Sequence, residues 1–368
     1  MTTKLSDLFD LADLKQAIAD GYVRTQVHPD LPYTIYNYSE LAQFQRVWTP
    51  VTRQCRGLIA HSETGEVLAR AFRKTHNHNE PEAHVFALDE PVEVTDKVDG
   101  SLGIGYPLGP DENGFAISTR GSFASEQAIH ATEVWRTRYQ GTATVPHGIT
   151  PLWEIIYPSN RIVVDYQGQD DLVLLAGVEI ETGRQIDAQT MADLMNWPGP
   201  VVQRFPYERF ADALAAPVRA GREGYVIRSL TSNAAVKFKY DEYVQLHKIV
   251  TGMNERIVWE HLGNGGDLDE LITPLPDEFH AWVRGVAARL RGEQEAIADA
   301  AQVAREELVA ALPDEWTRRD YALAAAEYGP LRPYLFNLLD GKDPRPSIWK
   351  TLRPSGAVTM TGYVEEAA

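Results

Sequence analysis

The chain has 368 residues, 44 % hydrophobic and 24 % charged, a globular balance that excludes wholesale disorder and suggests two domains, or one large domain with an appendage. The formal net charge of −17 argues against general nucleic-acid binding, because phosphate contacts need Lys and Arg, so any polyanion site must be a local basic cluster. A single cysteine, Cys55, excludes an intrachain disulfide framework and fits a reducing, cytoplasmic setting, and no apolar run is long enough to span a bilayer.

In chain order, the periodicity of Leu5 to Ile18 predicts an amphipathic helix with Ser6 as its cap, and its acids are unlike a signal peptide. Strand-like segments follow at Tyr33–Tyr38, Gly57–Ala60 and Val92–Val98, then a helix after Ser125. Strand-like runs return at Trp153–Ile156, Ile162–Tyr166, Leu172–Val178, Gly224–Arg228 and Ala235–Phe238. Strands outnumber helices and do not alternate strictly with them, which predicts an α+β domain with antiparallel sheets over residues 1–250. From 251 to 368 the pattern turns helical. Phe279, Val283, Val286, Leu290 and Ile297 fall at helical spacing, Pro313-Asp314 breaks the run, and shorter helices follow through Tyr321–Tyr328 and Pro333–Leu339.

The chain has no Walker A loop, and Gly103-x-Gly105 lacks the third glycine of a dinucleotide fingerprint. His76-x-His78-x-Glu80 could share a strand face, but no second ligand pair supports a metal site. Thr95-Asp96-Lys97-Val98-Asp99-Gly100-Ser101 reads by itself as a hairpin, since Asp-Gly is a turn signal. Alternation puts Asp96 opposite Lys97 and Asp99 on the lysine's own face. Making a free lysine, which titrates near ~10.4, into a neutral nucleophile at pH 7 costs about 4 kcal/mol, and a nearby carboxylate raises that cost. Other cations or a metal near the amine would lower that cost, so a reactive Lys97 needs a cationic pocket built from elsewhere in the chain. Arg56, Arg73-Lys74, Arg120, Lys237 and Lys239 are candidates, and Glu154 and Glu223 each place a carboxylate in an apolar strand.

Taken in order, these segments resemble the covalent lysyl-nucleotidyltransferase superfamily of ligases and capping enzymes. The matching motifs are Lys97-Val98-Asp99-Gly100, Trp153-Glu154-Ile155-Ile156, Glu223-Gly224-Tyr225-Val226 and Val236-Lys237-Phe238-Lys239. Tyr36-Asn37-Tyr38, Cys55-Arg56-Gly57, Pro158 to Val163 and Tyr243-Val244-x-Leu246-His247 resemble the phage-type RNA ligase 1 family more closely. There are two departures: Arg120 stands where the phage enzyme has a lysine, and His76 where the family can carry an aromatic.

The resemblance implies a nucleotidyltransferase (ATP-grasp-like) domain, a helical C-terminal domain as a candidate RNA-specificity module, and an ATP-dependent RNA ligase. It implies Lys97 as nucleophile and Lys237 and Lys239 as α-phosphate contacts. Lys74 and Arg120 would meet other phosphates, Tyr36 the nucleotide, and Arg56 and Glu154 the ribose. Asp99 and Gly100 would form the turn beside the lysine, with Asp99 able to bond nearby backbone amides. Glu154 and Glu223 are its metal-side carboxylates, for Mg2+ or a substituting Mn2+. The implied partners are RNA with 5′-phosphate and 3′-hydroxyl ends, nicked tRNA among them, and no membrane. The rivals are a DNA ligase or capping enzyme, and a non-catalytic RNA- or nucleotide-binding module. The helical C-terminal pattern, in place of a β-barrel, favours the RNA ligase. Between Arg318 and Arg353 basic residues outnumber acidic ones, a candidate RNA-facing surface or a solvated helix face. Asp267 and Asp269 suit a helix cap better than a metal.

Overall fold

The structure, a computed structural model, describes residues 2–109, 114–241, 243–244, 252–273 and 277–356. It divides into two compact units, Met1–Val244 and Gln245–Ala368. The family-like Leu246 and His247 lie outside the described residues.

The first unit is built from three sheets. Strands β1 (Val23–Val27), β2 (Tyr33–Tyr38), β3 (Arg56–His61) and β4 (Val67–Ala69) form an antiparallel meander. Then come β5 (His76–Asn77), β6 (Val92–Asp96), β7 (Ser101–Pro107), β8 (Phe115–Ser118), β9 (Ile149–Ile156), β10 (Asp171–Glu179) and β11 (Gln185–Asp187). The last three are β12 (Arg204–Phe205), β13 (Gly224–Ser229) and β14 (Ala235–Lys239). One five-stranded sheet runs β11-β10-β9-β7-β8 and the other β12-β6-β13-β14-β5, antiparallel except where β5 lies parallel to β14.

Apolar alternation drives the layering. Ile35 and Ile59 from the first sheet meet Ile104 and Leu152 from the second in one buried cluster. A second cluster gathers Trp135, Trp153, Trp197, Leu174 and Met191, and seats the helices Glu126–Val134 and Ala188–Met195 on the sheet. Each such fully buried aliphatic side chain contributes about 1.5–3 kcal/mol. Cys55 is fully buried, and burial pushes its thiol up to about 12, so it is inert.

Three sequence expectations are corrected. The N-terminal helix is two, Leu5–Leu8 and Leu11–Ala19, because Phe9 is extended and the Asp10 carboxylate, not Ser6, caps the second by accepting from Ala12 N–H at 2.8 Å. Ile162–Tyr166 is not a strand. The hairpin around Asp99-Gly100 does not form, because β6 and β7 belong to different sheets and the chain crosses from one to the other there.

The second unit is helical, as its periodicity predicts. The long helix Asp277–Ala310 buries Val283, Val286 and Leu290 against Val258 and Ile272. Further along, Ala304 and Leu308 pack on Tyr321 and Leu335. Asp267 caps the helix Leu268–Ile272, accepting from Asp269 N–H at 3.2 Å. Of the basic residues between 318 and 353, Arg318, Arg345 and Arg353 are engaged by Asp340, Glu295 and Glu260. That partly neutralises the positive surface suggested by composition. No helix among the described residues is long and apolar enough to cross a membrane.

Candidate active site

Strand β6 carries Glu93, Thr95 and then Lys97 into the wall of a cavity of about 710 Å³. That volume suits a nucleotide-sized ligand. Lys97 follows the last residue of β6, and its N–H donates to Gly224 O at 3.0 Å, which ties it to the start of β13. Gly224 has φ 149°, and a Cβ there would lie 2.0 Å from Phe238 O, so only glycine lets β13 begin beside β14. Glu223, immediately before it, is 2 % exposed and bridges two lysines: its Oε2 meets Lys97 Nζ at 2.6 Å and its Oε1 meets Lys239 Nζ at 2.8 Å.

Asp99 does not act on Lys97. Its Oδ2 accepts from Val163 N–H at 3.0 Å and Val164 N–H at 2.9 Å, and its Oδ1 accepts from Tyr243 hydroxyl at 2.8 Å. The segment read as a strand at Ile162–Tyr166 is thus a loop wrapped on this carboxylate, and Tyr166 hydroxyl accepts from Asp99 N–H at 2.7 Å. Asp99 is not among the residues that line the cavity, and its carboxylate anchors the turn. Asp96 is held by Arg219, which also donates to Gly224 O at 2.9 Å.

Gly100 lies against β9. A Cβ on it would come 2.6 Å from Ile155 O, and its N–H donates to Glu154 Oε1 at 3.0 Å. Burial pushes the Glu154 carboxyl up to about 7; Glu223 and Asp99 add to the rise and Lys97 opposes it.

The cavity also contains Arg56, Lys74, Arg120 and Lys237, none of which has a carboxylate partner among the described residues. Arg56 Nη1 is buried without a hydrogen-bond partner. Burial, and then Arg120, pull its guanidinium down to about 10. Lys237 is held well below the usual lysine range by burial and by Arg56, Lys97, Lys74 and Lys239. Lys74 Nζ lies 4.6 Å from the Trp48 ring centre and 5.2 Å from that of Tyr38. Arg120 donates to the Tyr38 hydroxyl at 3.1 Å; burial alone would raise this phenol, but Arg120, Arg56 and Lys74 lower it overall. Four basic side chains with no ion-pair partner among the described residues, in a cavity that also holds Glu80, Glu93 and Glu154, suit an anionic ligand.

Of the residues singled out from sequence, Arg56, Lys74, Lys97, Gly100, Arg120, Glu154, Lys237 and Lys239 line the cavity, and Glu223 lies directly behind two of them. Tyr36 does not line it: it packs with the apolar cluster of Val51 and Cys55, and Tyr38 takes the cavity position. Tyr166, Tyr243 and Arg219 escaped notice as supports, because their partners lie far away in sequence. His76 is buried and bonded to Glu80 at 2.9 Å, and no group of three or more His, Cys, Asp and Glu among the described residues could hold a metal. Both Glu223 oxygens face lysines, while Glu154 accepts one bond, from Gly100. This fits a magnesium ion carried in by a phosphate ligand, which needs few protein carboxylates, and not a resident metal cage.

A family model described as RNA ligase matches residues 54–243, just over half of the chain. The chain is 27 % identical over 252 residues to a candidate bifunctional polynucleotide kinase/RNA ligase of Autographa californica nuclear polyhedrosis virus, covering 62 % of this chain and 35 % of that protein. It is 26 % identical over 181 residues to a candidate RNA ligase of Thermovibrio ammonificans, covering 47 % of this chain and 45 % of that protein. The chain therefore spans less than half the length of these relatives. A solved structure of Naegleria gruberi RNA ligase with pyrophosphate is 20 % identical, with a TM-score of 0.33, covering 44 % of this chain and 52 % of that one.

Proposed function

Because the chain belongs to the RNA ligase family, we propose that it is an ATP-dependent RNA ligase joining 3′-hydroxyl and 5′-phosphate ends, nicked tRNA among its substrates. The observation that carries this reading is Lys97, paired with a buried glutamate, on the wall of a cavity with four basic side chains that have no ion-pair partner among the described residues.

In this reading Lys97 Nζ gives up a proton and attacks the α-phosphorus of ATP. A P–N bond forms, the bond to pyrophosphate breaks, and the chain carries AMP. An oxygen of the RNA 5′-phosphate then displaces the lysine, and the 3′-hydroxyl of the other end displaces AMP. Positioning and charge stabilisation dominate such phosphoryl transfers. Glu223 holds Lys97 and Lys239 in fixed relation, and its Oε2 is placed to receive the amine's proton. Lys237, Arg56, Lys74 and Arg120 compensate the phosphate charge. Glu154 would hold a magnesium ion brought in with the nucleotide, which would supply further neutralisation of the phosphates.

The test is incubation with magnesium and α-labelled ATP or GTP, followed by sealing assays on 5′-phosphorylated RNA and DNA. Label from ATP on the wild type and none on Lys97→Ala supports the reading. Label from GTP alone would favour capping, DNA sealing without RNA sealing a DNA ligase, and no covalent label a binding module.

A further inference from the structure

On the wall of the same cavity the chain leaves one aromatic ring in water. Phe44 is 87 % exposed, and among the described residues it is the one Phe, Tyr or Trp in the exposed class. Isolated exposed aliphatic residues are common on soluble proteins. An exposed phenylalanine on the wall of a cationic cavity is not the same case, because its neighbours make it part of a graded surface.

The local chain explains why the ring stays out. Phe44 ends the short helix Glu40–Phe44, whose buried side is Ala42. Arg46, two residues on, adopts the left-handed conformation (φ 57°) that a helix end favours for glycine, and its guanidinium pairs with Glu82. Gln43, next to Phe44, accepts from Lys74 Nζ at 3.5 Å. Lys74 in turn lies over Trp48 and Tyr38. Phe44, Gln43, Arg46, Trp48 and Lys74 all line the cavity, so an apolar ring, an ammonium and a guanidinium paired with Glu82 share its wall.

We propose that Phe44 is a stacking platform for the terminal base of a single-stranded RNA whose 5′-phosphate enters the cavity. An aromatic face beside cations is the chemistry that holds unpaired nucleotides, because every base has a face to stack and a phosphate to neutralise. On the same short helix only Leu41, 40 % exposed, adds to this ring, so the helix offers a protein partner little apolar area. This inference rests on the ligase reading for the identity of the strand, and it names the end that the cavity receives.

The experiment is direct binding of a fluorescent, 5′-phosphorylated oligoribonucleotide to wild type, Phe44→Ala, Phe44→Leu and Phe44→Trp. In parallel, single-turnover transfer of AMP from the adenylated protein to that RNA is followed. Phe44→Ala is expected to weaken binding roughly five- to hundredfold, the range that losing one base–aromatic stack implies. Phe44→Leu should do nearly the same, and Phe44→Trp should restore binding; a merely structural role would be rescued by leucine. Transfer from the adenylated protein should show the same loss in half-saturating RNA. Equal RNA affinity for wild type and Phe44→Ala would overturn the proposal. So would a defect confined to sealing of pre-adenylated RNA, which would assign Phe44 to the 3′-hydroxyl strand. Binding is read without catalysis, so a wild type that binds RNA through Phe44 yet never forms covalent AMP would reject the ligase reading and leave this site standing.

Discussion

Lys97 Nζ and Glu223 Oε2 stand 2.6 Å apart although 126 positions separate them in the chain. They meet because β6 and β13 pair antiparallel, and Lys97 N–H closes that pairing on Gly224 O. Glu223, not the adjacent Asp99, is therefore the carboxylate that sets the lysine's position and charge environment.

Removing this carboxylate and removing the lysine should differ. Glu223→Gln leaves Lys97 and Lys239 without their counter-charge, and breaking such a buried pair costs about 3–5 kcal/mol. The lower end is expected, since the Lys239 side chain is 27 % exposed. Lys97→Ala leaves Glu223 paired with Lys239 and should cost less. Urea denaturation ranks the two, and a label assay should find no covalent AMP on Lys97→Ala.

Asp99 is expected to behave as an anchor. Asp99→Asn keeps its carbonyl on the Val163 and Val164 N–H groups and turns its NH2 toward the Tyr243 hydroxyl, so it loses the charge assistance of bonds worth about 1.5–3 kcal/mol each. Tyr243→Phe removes only the hydroxyl and should cost about 1 kcal/mol. Equal stability of Asp99→Asn and wild type in chemical denaturation would contradict the anchoring role.

Glu154 makes stability depend on pH. Its carboxyl is raised from 4.5 to about 7, so between those values the folded state binds the proton more tightly than the unfolded chain. Its contribution is fully present below pH 4.5 and is lost as pH rises through 7. Glu154→Gln should flatten the stability–pH curve in that window, by at most about 3 kcal/mol. Thermal melts of both proteins without nucleotide, at several pH values, measure the difference.

Lys237 shows the cost of an unpaired cation. Its amine is depressed by burial and by four neighbouring cations, so at neutral pH this group favours the unfolded chain, where the ammonium is solvated. Lys237→Met should raise the melting temperature of the ligand-free protein. The same substitution should remove most of the stabilisation that ATP gives wild type, which at a hundredfold excess over Kd amounts to about 2.7 kcal/mol. A variant that is both less stable alone and still stabilised by ATP would refute this.

The local chemistry of the site was legible in the sequence because it depends on residue types at short spacing. Lys97, Lys237 and Lys239, with Glu154 and Glu223, sit in or beside short apolar strands, and charges in such strands demand partners. The helical character of residues 277–310 was legible for the same reason, as a sustained period of apolar positions. The loop at Val163-Val164 was not, because its apolar β-branched residues read as a strand until Asp99 claims their N–H groups.

The sequence by itself determined which side chains would carry the charge and on which strands. Tertiary structure alone decided which of them meet. Alternation assigns faces only while a strand lasts, and β6 ends at Asp96, one residue before the lysine. Beyond that point the crossing between two sheets turns Asp99 toward the loop at Val163 and leaves Lys97 to Glu223. A register shift between Tyr36 and Asn37 in the pairing of β2 with β3 breaks the alternation there, and Tyr38, not Tyr36, lines the cavity. No rule of spacing reaches across 126 residues; strand pairing does, because each paired strand satisfies its backbone groups and fixes its neighbour's register at once.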